Sequence, residues 1–187
     1  MSRAVSPRPR HIAAVLAAVA LAVPLGACGR EKTTTFGATE GTYLDVGPLA
    51  YQVQISRALN PQDSEDRNYM QGVQAALATD ETWFAIFMRV KNQSGETLTP
   101  TTTFTITDTE GNKFQPVTLD EKVNPFIYLP EPLEHAHVLP DANTPPGSGP
   151  VQGSLILFKI DAPSLQNRPL ILTIGEGEDS ATVDLDL

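Results

Sequence analysis

One cysteine, one tryptophan and three histidines stand among 187 residues, and aromatic residues make up 6%. A single cysteine, Cys28, excludes an intrachain disulfide and a zinc–thiolate site, so the domain is held by packing alone. Cations are also few: 13 Lys+Arg face 22 Asp+Glu, a formal net charge of −9. No apolar run reaches the roughly 20 residues needed to cross a hydrocarbon layer. The longest, from Ile12 to Leu25, contains Pro24, which disturbs a helix. A stable transmembrane helix is the weaker reading of it.

What is present begins with an address. The first ten residues carry Arg3, Arg8 and Arg10 and no acid, and the apolar run follows them. That order is a basic n-region and an h-region. Leu25-Gly26-Ala27-Cys28 comes next, with small residues that suit a peptidase cleft. The stretch resembles the lipobox of bacterial lipoproteins. The resemblance implies a diacylglyceryl thioether on Cys28 and cleavage before it, which makes residues 1–27 a signal peptide. A buried methylene contributes about 0.8 kcal/mol, and two acyl chains hold stably where one holds marginally. The expected location is the extracytoplasmic face of the cell membrane, lipid-anchored through Cys28, with no free thiol left for catalysis.

Loss of residues 1–27 from 187 removes three arginines and no acid, leaving 160 residues with 10 basic and 22 acidic side chains, net −12. Such a surface repels phosphate backbones and anionic headgroups, which argues against nucleic-acid binding and holds the body off the lipid. About 160 residues suit one domain that buries roughly two thirds of the surface its unfolded chain exposes.

After Cys28, the polar residues from Gly29 to Thr42 read as a flexible tether. Its 14 residues reach about 50 Å extended and nearer 20 Å as a coil. From Tyr43 to Leu187 the pattern is that of a β domain. Tyr43 to Val46 alternates, Gly47-Pro48 breaks it, and Leu49, Tyr51, Val53 and Ile55 continue on one face. Asn60 to Asn68, charged and proline-bearing, reads as a loop; Tyr69 to Ala78 is ambiguous between helix and loop. In Thr82 to Asn92, Phe84, Ile86, Met88 and Val90 face one way and Trp83, Ala85, Phe87 and Arg89 the other, which predicts a strand in mid-sheet. Thr102 to Asp108 and Lys113 to Gln115 form a hairpin around Thr109-Glu110-Gly111-Asn112. From Pro116 to Pro150, eight prolines exclude a central strand or long helix. Such a long irregular segment is often functional. Val151 to Ile160 is a strand again, and Leu170 to Ile174 pairs with Val183, Leu185 and Leu187. Seven or eight strands, at most one short helix and no βαβ alternation predict an all-β antiparallel sandwich.

Three pieces carry a further resemblance: Trp83 through Asn92 with its polar turn, the Thr107-to-Phe114 hairpin containing Asp108 and Gly111, and Gly153 through Ile160. Together they resemble the immunoglobulin-like domains of small bacterial lipoproteins and secreted antigens, over about residues 43–187. The resemblance implies an extracytoplasmic β-sandwich and little chemistry. The proline-rich insertion departs from it.

Several constellations invite chemistry. His135-Ala136-His137, with Glu131 and Glu134 near, would place two imidazoles on one side of an extended chain, a start for copper or zinc; two solvated loop histidines is the plainer reading. Gly147-Ser148-Gly149 lacks the spacing of a nucleophile elbow or a phosphate loop. Asp80-Glu81, Asp120-Glu121 and Glu176-Glu178-Asp179 lack the calcium-loop spacing and read as solvated turns. Trp83, Phe126 and Tyr128 serve as core and loop anchors or as a ligand platform, Phe126 and Tyr128 being the candidate binding residues. No nucleophile, base and orienter can be named, so the expectation is a non-catalytic binding or scaffolding module without a cofactor. Its partners are the membrane, through the lipid on Cys28, and an envelope protein or glycan met by the insertion. A metal-binding lipoprotein using His135 and His137, or an envelope hydrolase, is the alternative.

Overall fold

The computed structural model describes Met1, Thr33–Thr34 and residues 37–185. The apolar leader, Cys28 and Leu187 lie outside the described residues.

Among the described residues eleven strands build two sheets. The first has the order β1 (Thr33–Thr34), β3 (Tyr43–Val46), β4 (Leu49–Ala58), β5 (Glu81–Asn92). Along the far edge of β5 lie β8 (Val138–Leu139), against Val90 and Lys91, and β9 (Ser154–Asp161), against Glu81 to Met88. The second sheet runs β2 (Ala38–Thr39), β11 (Asp179–Leu185), β10 (Leu170–Glu176), β6 (Phe104–Thr107), β7 (Lys113–Phe114). Where seven or eight strands were expected, seven have four residues or more. The other four, β1, β2, β7 and β8, are two-residue pairings too short to leave a period.

The main core lies between the sheets, and Phe84, Ile86, Met88 and Val90 of β5 point into it. Trp83, Ala85 and Phe87 point to the opposite face, where a second cluster with Leu59, Tyr69, Leu155 and Leu157 forms. Strand β5 is therefore buried on both faces, as its unbroken apolar character predicts. In β4 the register shifts between Val53 and Ile55. The bulge changes the phase, so Val53 enters the first cluster while Ile55 packs against the second, not on the shared face that simple alternation predicts.

Three expectations change. Within the expected tether, Thr33–Thr34 pairs parallel with β3 and Ala38–Thr39 parallel with β11, and Ala38 is buried; backbone pairing at both sheet edges replaces free coil. The expected loop at Asn60 to Asn68 contains α1 (Ser64–Tyr69). Its N-cap Asp63 accepts from the Glu65 and Asp66 amides, and buried Asp66 pairs with Arg57 of β4. Tyr69 closes the helix under Phe87, with ring centroids 4.8 Å apart, and burial followed by its bond to Glu65 pushes the phenol up to about 12. The third change is a second helical turn, α2 (Pro145–Ser148), so more than one short helix is present.

The pieces that carried the family resemblance each have a mechanical role. Asp108, buried at the end of β6, accepts from the amides of Glu110 and Asn112 and from the side chains of Asn112 and Asn167. Burial would raise its pKa, but these bonds and one from Ser164 outweigh it and hold the carboxyl well below the usual range. Gly153 lets the chain pass β5: a Cβ there would lie 2.8 Å from the Phe87 carbonyl carbon.

Candidate binding groove in the proline-rich insertion

The insertion first covers an edge. Strand β9 pairs with β5 on one side only, and its other side would expose backbone groups. Val117 donates its amide to the Leu157 carbonyl, Tyr128 to the Leu155 carbonyl, and Leu155 donates to the Phe126 carbonyl, at 2.7–2.8 Å. Pro116 and Ile127 form isolated bridges with Phe158 and Leu155. Prolines that cannot extend a ladder suit this role, since they bind an edge without becoming another.

Two buried asparagines pin the insertion down. The Asn124 amide donates to the carbonyls of Tyr69 (2.9 Å) and Gln71 (3.0 Å), and its oxygen accepts from the Phe126 amide. The Asn92 amide, at the end of β5, donates to the carbonyls of Glu96 (2.7 Å) and Leu133 (2.8 Å). The Asn92 side-chain oxygen accepts from the Ser94 amide and hydroxyl, while its main chain bonds Ala136 and His137. Neither pin is legible in the sequence: Asn92 ends a strand, but its partner Leu133 lies 41 residues away.

Phe126 and Tyr128, expected as possible ligand platforms, are spent on the fold. Phe126 meets Tyr69 edge-on in the second cluster, with centroids 4.9 Å apart. Tyr128 enters the inter-sheet core edge-on to Phe104, at 5.2 Å. Its hydroxyl donates to the Thr101 carbonyl and bonds the Tyr51 hydroxyl, which accepts from the Thr101 amide. Burial raises both phenols above their ordinary range, so the pair stays neutral. Trp83 is buried in the second cluster.

Beyond Tyr128 the chain leaves the edge of β9, and the insertion forms a groove of about 490 Å³. Ile127, Leu129, Leu133 and Leu139 line it with Pro125, Pro132, Pro140 and Pro146, and Glu131, His137, Asp141 and Thr144 supply its polar groups. The walls are supported at Asn92, by the Leu98–Leu133 bridge and by β8.

The two histidines are not arranged as an extended pair. Ala136 takes a left-handed φ of 65°, and the His137 amide donates to the Glu134 carbonyl, so the segment is a tight turn. His135, exposed, places Nδ1 against the Ser94 carbonyl, while His137 lines the groove. Among the described residues no three His, Cys, Asp or Glu side chains come together as metal ligands. Ser148 closes α2 and donates its hydroxyl to the Thr144 carbonyl at 2.9 Å. Gly147 is required there, since a Cβ would fall 1.9 Å from the Asp141 carbonyl oxygen. Of the acidic pairs, Glu81 bonds the Ala78 amide and pairs with Lys159 at 3.0 Å, and Asp120 accepts from the Lys122 amide in a turn.

Two sheets packed face to face around one apolar layer define the chain as a β-sandwich. Among solved structures it is similar to the yjhA protein from Bacillus subtilis, with a TM-score of 0.50 and 13% identity over 80% of this chain and 99% of that one. An uncharacterized beta-sandwich protein from Clostridium difficile 630 aligns with a TM-score of 0.47 and 11% identity, over 84% of this chain and 98% of that one. The likeness to the Bacillus protein is one of fold. No family model and no curated protein matches the chain.

Proposed function

We propose that this chain is a non-catalytic binding module of the bacterial cell envelope: an immunoglobulin-like sandwich held at the extracytoplasmic face of the membrane by lipid on Cys28, with the insertion groove as its ligand site. The groove carries the binding reading. Its volume of about 490 Å³ falls within the roughly 300–1,000 Å³ of small-ligand sites. Pinning of its walls by Asn92 and Leu133 leaves little conformational freedom to be lost on binding. The immunoglobulin-like reading is supported by the β3–β4–β5 meander and by passage to the other sheet between β5 and β6 and again between β9 and β10.

The anchor reading rests on the basic leader, the apolar run and Leu25-Gly26-Ala27-Cys28.

Mass spectrometry of the processed N-terminal peptide tests the anchor: a diacylated Cys28 is expected, and Cys28→Ala should move the protein to the soluble fraction. An unmodified thiol, or an intact leader on cytosolic protein, overturns it. Amide chemical-shift mapping against a library of small organic fragments tests the groove. Ligands should perturb Leu129, Ala136 and Asp141 together; hits confined to the outer face of the second sheet would remove the assignment.

A further inference from the structure

The groove combines an apolar floor with charge of one sign. Leu129, Leu139 and the prolines form the walls, Glu131 and Asp141 are its carboxylates, and no lysine or arginine lines it. Asp141 is held ionised: its Oδ1 accepts from the Asn143 amide at 2.7 Å and from the Asn143 side chain at 2.9 Å. These bonds, with a smaller effect from His137, keep its carboxyl below the ordinary value. Glu131 is exposed at the groove wall, its amide bonded to the Leu129 carbonyl. Glu96 and Glu134, both exposed, sit in the two turns joined through Asn92 at this end of the sheet and add to the same field.

We infer that the groove takes a small amphiphilic cation, with an aliphatic or aromatic body on the Leu129 and Leu139 walls and an ammonium-type head held by Glu131 and Asp141. The inference rests on the reading of the groove as a ligand site. Exposed carboxylates by themselves hold a hydrated ion weakly. Apolar walls by themselves do not discriminate among hydrophobic solutes. Acting together they select a ligand that is desolvated along its body and positive at its head, and they reject anions through the net negative charge of the chain. The volume of about 490 Å³ suits a single small molecule more than a long peptide, whose contacts spread over a larger area.

Three probes with one body and three heads test this: 4-phenylbutylammonium, 4-phenylbutanol and 4-phenylbutyrate, each titrated into the full-length chain and followed by amide chemical shifts. The ammonium compound should bind at least about tenfold more tightly than the alcohol, and the carboxylate most weakly. Glu131→Gln with Asp141→Asn should bring the ammonium compound to the level of the alcohol; Asn at 141 keeps a turn acceptor, and the same spectra report the fold. Leu129→Ser should weaken the ammonium compound and the alcohol alike. Equal binding of ammonium and alcohol, both lost in Leu129→Ser, overturns the cation and leaves a groove for neutral ligands. Shifts from the ammonium compound spread over Glu176 to Asp179 and absent from the groove overturn it as general charge attraction. No groove shifts from any of the three remove both the cation and the groove.

Discussion

From Pro116 to Tyr128 the insertion is laid along the free side of β9, whereas from Leu129 to Pro150 it leaves that strand, pairs with β5 only at Val138–Leu139 and walls a groove. Both stretches are rich in proline and carry scattered large apolar residues, so their composition hardly distinguishes them. What differs is where the backbone amides go. In the first stretch they meet unpaired carbonyls of β9, and Phe126 and Tyr128 are drawn into the two clusters on either side of the sheet. In the second they close turns on themselves and on the end of β5, which holds the walls without filling the space between them. Edge protection and a groove thus follow one another within a single loop. Deleting the whole loop would expose an edge and open the core, so point substitutions are the way to separate the two roles.

The largest effect should come from Tyr128→Ala, which empties a site shared with Phe104, takes the donor from the Thr101 carbonyl and leaves the Tyr51 hydroxyl without its Tyr128 partner. Urea unfolding should show a loss of about 3–5 kcal/mol. Next are the two pins. Asn124→Ala and Asn92→Ala each remove a side-chain donor shared by two carbonyls, though those at Asn92 keep the Leu98 amide and the Ser94 hydroxyl, and each should cost about 1–3 kcal/mol. Hydrogen exchange tells the pins apart: loss of Asn124 should expose the Leu155 and Leu157 region, loss of Asn92 the 133–137 turn. If either change loosened both halves equally, the division between them would collapse.

Asp108 offers a comparison outside the insertion. Its folded-state pKa lies below the ordinary 3.8, so its contribution is complete above that value and fades as pH falls through and below it. Asp108→Asn should therefore lower the unfolding midpoint at neutral pH, and the gap from the parent should narrow below about pH 4. A gap that persisted undiminished in acid would show that the charge does not matter. The smallest effect belongs to Leu129→Ser. Leu129 is 37% exposed, and its replacement should shift stability by about 0.5 kcal/mol or less while weakening groove ligands.

Much of the sandwich was readable beforehand, and the reasons are local. The two-sided apolar run of β5, the glycine turns and the terminal hairpin each announce themselves within a dozen residues. Helix α1 was signalled too, by Asp63 followed by Glu65 and Asp66, but the surrounding proline and charges read as loop. The helix is fixed by Arg57 of β4 and Phe87 of β5, partners outside its own segment. The bulge at Gln54 had no signal, since a one-residue phase change looks like an imperfect alternation. At the candidate site, His135 and His137 stood out by residue type. The groove they adjoin did not, because it is a shape made by Pro125, Leu139 and Pro146 around empty space.

Periodicity and residue type therefore determined the strands, the acidity and the single thiol, since each is a property of neighbouring positions along the chain. Which prolines would cover an edge and which would line a groove was decided in three dimensions. That choice depends on which groups of β5 and β9 the sheet leaves unmet, and on Asn92 and Asn124, which tie the loop to the end of β5 and to the carbonyls of Tyr69 and Gln71.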